Sequence, residues 1–207
     1  MKKFLAIGTA LALALAAGLP SHAALKVGAP APDFTAEGAL DGKTFNFHLA
    51  DALKHGPVVL YFFPAAVTPG CTIEAHNFAE AAAPFKAMGA TLIGVTAGNI
   101  DRIAEFSKVE CRSAFPVAGD PGLKIARRYD ATLALYPGHS DRTSYVIGTD
   151  GTVAAAYSAL SPTHHVEQML AGVKAWRAAH PVEPKPSGAT RSGQDGASAG
   201  SDLARAQ

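Results

Sequence analysis

The chain has 207 residues, of which 48% are hydrophobic, and its 18 Lys and Arg against 17 Asp and Glu give a formal charge of +1. So even a balance, with no basic stripe, gives no footing for nucleic acid or for an anionic membrane surface. Length and apolar content suffice for one domain with a real core, plus a tail.

Residues 1–23 read as an export signal. Lys2 and Lys3 supply the charged start, Phe4 to Leu19 the apolar stretch, and Ser21-His22-Ala23 a small-residue cleavage site. A retained membrane anchor is the other reading of the same residues, and no other stretch is long and apolar enough to span a bilayer. Cleavage leaves 16 basic against 17 acidic residues, a charge of −1, and places the protein in the periplasm.

The folded domain is expected over residues 24–180. Ala29-Pro30-Ala31-Pro32-Asp33-Phe34 is a Pro-stiffened extended entry, and Asp41-Gly42-Lys43 is a turn before a strand at 44–48 with Phe45 and Phe47 on one face. The apolar run 58–63, bounded by Pro57 and Pro64, predicts a buried strand. A helix over 71–88 follows, ended by Gly89 and kinked or interrupted by Pro84. Next come a strand at 91–96, a helix at 100–109 with Ile103 and Phe106 on one face, and a short helix at 122–129 after Asp120-Pro121. Strands at 144–148 and 153–157 flank the Asp150-Gly151 turn as a hairpin. Ser161-Pro162 is expected to cap a last helix reaching residue 179, with Val166, Met169, Leu170, Val173 and Trp176 on its buried face. This order predicts an α/β domain, a central mixed β-sheet flanked by helices. From Pro181 to Gln207 the chain is Pro, Gly, Ser, Ala and scattered charge, a composition that predicts a disordered tail.

Cys71, one of two cysteines, falls where the buried strand 58–63 ends and a helix starts. A helix N-terminus carries unpaired N–H groups and a partial positive charge, and so favours thiolate over thiol. Thiolate is the reactive form, which points to redox chemistry at Cys71. Read singly, the neighbours stay ambiguous. Cys71 also fits an inert buried thiol, Thr68 a helix cap, Pro64 a strand terminator and Arg142 a solvated charge.

Taken together, Pro64, Thr68 and Cys71 resemble the peroxiredoxin active-site pattern of a Pro, a Thr and a peroxidatic Cys at this spacing. Thr68-Pro69-Gly70-Cys71-Thr72 before Glu74-Ala75 is similar to the peroxiredoxin Q, or bacterioferritin-comigratory-protein, branch. Ala29 to Phe34, Asp41-Gly42-Lys43, Phe115-Pro116 before Asp120, and Arg142 to Ile147 before Asp150-Gly151 fall in the family's order. The resemblance implies a thioredoxin-like fold and a thiol-dependent peroxidase that acts on hydrogen peroxide and organic hydroperoxides without a cofactor. It implies that Cys71 attacks a peroxide oxygen and becomes a sulfenic acid. Thr68 would hold the peroxide in line, Pro64 would exclude water, and Arg142 with the N–H groups of Gly70 and Cys71 would stabilise the leaving oxygen. Glu74 would orient Arg142. A thioredoxin-like protein would be the reductant, and the protein would be a monomer or weak dimer.

One departure matters. Many members of that branch carry a resolving cysteine five residues after the first, where this chain has His76. Resolution then falls to Cys111, a region where some relatives keep that cysteine, or to an external thiol. A structural Cys71–Cys111 disulfide, common for paired cysteines in an oxidising compartment, stays open as well. A non-catalytic redox sensor or binding module on the same fold is the alternative from another class. The seven histidines beyond residue 23 invite a metal, yet adjacent His164 and His165 on a helix point apart, and Cys71 and His76 do not share a face. The absence of Cys-x-x-Cys disfavours a disulfide isomerase.

Overall fold

Strand β3 (Val58–Ala65) organises the domain. Its first six residues are buried, and period-two alternation sends Val59, Tyr61 and Phe63 into one core and Val58, Leu60 and Phe62 into another. A strand covered on both faces reads as a continuous apolar run, which is why it stands out in the sequence. It pairs in parallel with β4 (Thr91–Gly98) and antiparallel with β6 (Thr143–Ile147). With β1 (Thr35–Leu40), β2 (Lys43–His48), β5 (Val117–Gly119) and β7 (Val153–Ser158) these make a seven-stranded mixed sheet, order β2-β1-β5-β4-β3-β6-β7. This computed structural model describes residues 24–181; the expected signal at 1–23 and the expected tail from residue 182 onward lie outside the described residues.

Helices α2 (Pro69–Ala87), α3 (Ile103–Val109) and α4 (His165–Ala179) pack on one face and bring Phe78, Phe85, Phe106, Met169 and Val173 into the first core. The other face is covered by α1 (Leu49–Leu53) and a 3-10 turn at Ala126–Tyr129, with Leu49, Leu53, Tyr129 and Tyr145 in the second core. The α/β architecture therefore matches the sequence-based expectation.

Several elements differ in detail, each for a local reason. β1 and β5 were not foreseen: Gly38 packs so close to β5 that a Cβ there would lie 3.0 Å from the Val117 carbonyl oxygen, so small residues replace the usual strand formers. The Asp41-Gly42 turn has φ +51° and +75° at its two central residues, the primed geometry that suits a hairpin. Phe45 and Phe47 share a face, but at this edge strand only Phe47 is buried. The expected helix at 122–129 survives as its last turn only. Gly122 and Leu123 have positive φ, and the Asp120 carboxylate accepts the N–H groups of Ile125 and Ala126 at 2.9 and 2.8 Å. The expected helix at 100–109 opens with a 3-10 turn at Ile100–Arg102 after left-handed Asn99. α4 starts at His165, because the Ser161 hydroxyl engages Thr163 at 2.9 Å instead of capping. α2 starts at Pro69, whose fixed φ suits a first helical position, and it runs on through Pro84 to Ala87 without interruption.

Candidate active site

β3 delivers the loop 66–68 and then α2, of which Cys71 is the third residue and is 2% exposed. Val67 sits at φ +60°, a left-handed conformation costly for a β-branched side chain. Thr68 is extended and does not cap the helix with its side chain; its hydroxyl donates to the Ala65 carbonyl at 3.0 Å. The first-turn N–H groups, those of Gly70 and Cys71 among them, have no intrahelical carbonyl to bond. Pro64 is half-buried, and its carbonyl accepts from the Thr96 hydroxyl at 3.2 Å. Asn99 Nδ2 donates to the Ala66 carbonyl at 2.8 Å, and a Cβ on Gly98 would lie 2.5 Å from the Pro64 oxygen. The end of β4 thus staples the loop through Thr96, Gly98 and Asn99. None of these was visible as a site residue, because nothing local in the sequence says that this strand end meets the cysteine loop.

Arg142, immediately before β6, meets Cys71 from the far side of the sequence. Its Nη2 lies 3.5 Å from Cys71 Sγ, its Nη1 donates to Glu74 Oε2, and its Nε donates to the Leu160 carbonyl at 2.9 Å. Arg142 is 5% exposed and Glu74 fully buried. Burial pushes the Glu74 carboxyl up to about 8, against the lowering pull of Arg142. A Cβ at Gly70 would approach Arg142 Nη2 to 3.3 Å, so the small residue lets the guanidinium close in. The structure therefore brings Cys71, Glu74, Gly70 and Arg142 together, with Thr68 and Pro64 on the adjoining loop.

Cys111 follows α3, is fully buried in the same core as Cys71, and both are free thiols. Burial pushes the Cys111 thiol well above its ordinary range. His76 Nε2 lies 2.9 Å from Glu110 Oε2, which ties α2 to the residue before Cys111. His164 faces Glu167 at 3.2 Å whereas His165 is buried, so the two neighbours do diverge. A separate cleft of about 420 Å³, lined by Glu37, Ile103, Asp120 and Lys124 among others, contains none of the sequence-predicted site residues.

Residues 27–156 match the AhpC/TSA family. The chain belongs to that family. It is 34% identical over 144 residues to the chloroplastic peroxiredoxin Q of Gentiana triflora, covering 69% of this chain and 64% of that one. It is 32% identical over 140 residues to the Populus jackii chloroplastic peroxiredoxin Q, covering 67% and 63%. The chain thus spans under two thirds of the length of these plant relatives. The crystal structure of peroxidoxin BcpB from Mycobacterium tuberculosis superposes with a TM-score of 0.65 at 31% identity, covering 73% of this chain and 97% of that one. Within the family the chain falls in the peroxiredoxin Q and bacterioferritin-comigratory-protein branch. A reduced 2-Cys peroxiredoxin from Plasmodium vivax, 20% identical with a TM-score of 0.66, shares the fold over 74% of this chain and 83% of its own. The fold is thioredoxin-like, as the resemblance implied.

Proposed function

We propose that the protein is a thiol-dependent peroxidase that reduces hydrogen peroxide and small organic hydroperoxides through Cys71. The observation that carries this reading is Arg142 Nη2 at 3.5 Å from Cys71 Sγ, at the unpaired N-terminal turn of α2. The Cys71 thiolate attacks the terminal peroxide oxygen. The O–O bond breaks, sulfur becomes a sulfenic acid, and the departing alkoxide or hydroxide takes up a proton to leave as alcohol or water. Negative charge grows on that departing oxygen, where Arg142 and the Gly70 and Cys71 N–H groups supply fixed donors. The Thr68 hydroxyl, already donating to Ala65, presents only lone pairs and so accepts the O–H of the peroxide. Pro64 closes the pocket against water, and Glu74 orients Arg142.

The Cys111 thiol then attacks the sulfenic acid, forming the Cys71–Cys111 disulfide and releasing water. With Cys111 fully buried, this step requires the first turns of α2 to unwind. A thioredoxin-like dithiol outside the molecule restores both thiols. The pattern of residues 1–23 supports action in the periplasm, as a monomer or weak dimer.

The test is intact-mass analysis of the reduced protein, alkylated seconds after one equivalent of hydrogen peroxide. Fast loss of both thiols as one internal disulfide is the expected result. Two thiols still free after the pulse would refute the peroxidase.

A further inference from the structure

Behind Glu74 lies a residue the mechanism above does not use. His165, the first residue of α4, is fully buried, with Nε2 at 3.0 Å from the Ala159 carbonyl oxygen and Nδ1 at 2.7 Å from Ser144 Oγ. A carbonyl only accepts, so Nε2 carries the proton. In the neutral ring Nδ1 is then a bare lone pair, and the Ser144 hydroxyl donates to it. Burial holds the ring below the ordinary histidine range, which keeps it neutral. Tyr157 packs against it edge-on, with centroids 4.8 Å apart. Bonded at both nitrogens and braced on its face, the ring has one orientation.

Its Nδ1 edge faces the carboxyl that Arg142 depends on. Glu74 Oε2 is taken by Arg142, whereas Oε1 has no hydrogen-bond partner among the described residues and lies 3.7 Å from His165 Nδ1. That distance is too long for a hydrogen bond, yet it is contact distance for a wall. The rotation of the carboxyl is therefore limited on one side by the guanidinium and on the other by the ring. We propose that His165 is a positioning residue of the peroxidatic centre: fixed by Ser144 and Ala159, its ring sets the orientation of the buried Glu74 carboxyl, and through it the aim of Arg142 at Cys71. This rests on the peroxidase reading above.

The experiment is a mutant cycle on the single-turnover rate constant of the reduced protein with hydrogen peroxide, followed by quenched thiol loss. His165→Leu is expected to slow the reaction by about tenfold, the scale for losing a partner that orients a site ligand. In a Glu74→Ala background the same change is expected to add less than about twofold, because the side chain it orients is already gone. His165→Asn, whose Oδ1 falls near the place of Nδ1 and accepts from Ser144, recovers most of the loss. A Leu variant as fast as wild type, an equal loss in both backgrounds, or an Asn variant no better than Leu would each overturn the proposal. Should the Leu variant not fold, Ser144→Ala replaces it: a smaller loss that vanishes in the Glu74→Ala background supports the proposal, and an additive loss overturns it. An unreactive wild type refutes the peroxidase itself, whereas a reactive wild type with insensitive His165 variants refutes only the positioning role.

Discussion

Arg142 has one positive charge and two acidic neighbours, Cys71 and Glu74, in a site almost closed to water. In the proposed reaction its removal takes away a donor to the departing oxygen, so Arg142→Ala is expected to slow peroxide reduction by roughly 10²–10³ in a stopped-flow assay. Cys71→Ser is expected to abolish it. Glu74 leaves a thermodynamic trace as well. Its carboxyl is raised from 4.5 to about 8 by burial, so between those values the folded state binds a proton that the unfolded state releases. That contribution is complete below the unfolded value and is lost as pH rises through the folded one. Thermal melts from pH 5 to 8 are expected to show a fall in Tm that flattens in Glu74→Gln. The sequence exposed these residues unequally. Cys71 is marked by its place at a strand–helix junction, whereas Arg142 and Glu74 become site residues only through the family pattern. His165 stands out in the sequence only as a metal candidate beside His164, since no local rule says that a histidine opening α4 is buried behind a carboxyl on α2.

The two ends of α2 are built differently. At the C-terminal end Gly89 is left-handed at φ +67°, the Gly89 and Ala90 N–H groups bond back to Lys86 and Phe85 at 2.8 and 2.9 Å, and Arg177 Nε donates to the Met88 carbonyl at 2.6 Å. At the N-terminal end there is no side-chain cap, and Val67 adds local strain. Fraying is therefore expected from the end that carries Cys71. The His76–Glu110 contact opposes it, because it fastens the second turn of α2 to the segment holding Cys111. A half-exposed pair of this kind contributes at most about 1 kcal/mol, so His76→Ala is expected to speed closure of the Cys71–Cys111 disulfide by up to about fivefold in quenched mass analysis. Unchanged closure kinetics would show that this contact does not restrain the step. Element by element, legibility followed burial on both faces. β3 and β4 are continuous apolar runs, whereas β1 is made of small residues because β5 crowds it, and the three residues of β5 are too few to form a pattern.

At the scale of the whole molecule, the sheet separates two cores, and both cysteines belong to the one under α2, α3 and α4. The core under α1 and the Ala126–Tyr129 turn contains neither. Hydrogen exchange compared between reduced and disulfide forms is expected to differ in α2 and around Cys111 while α1 and β2 keep the same protection. Loss of protection in α1 on oxidation would mean that the sheet transmits the change. The asymmetry restricts how the redox state can be recognised from outside. In the cycle proposed above, a reductant that must tell the spent form from the ready one would find the difference on the helical side, where both cysteines lie, rather than on the α1 side.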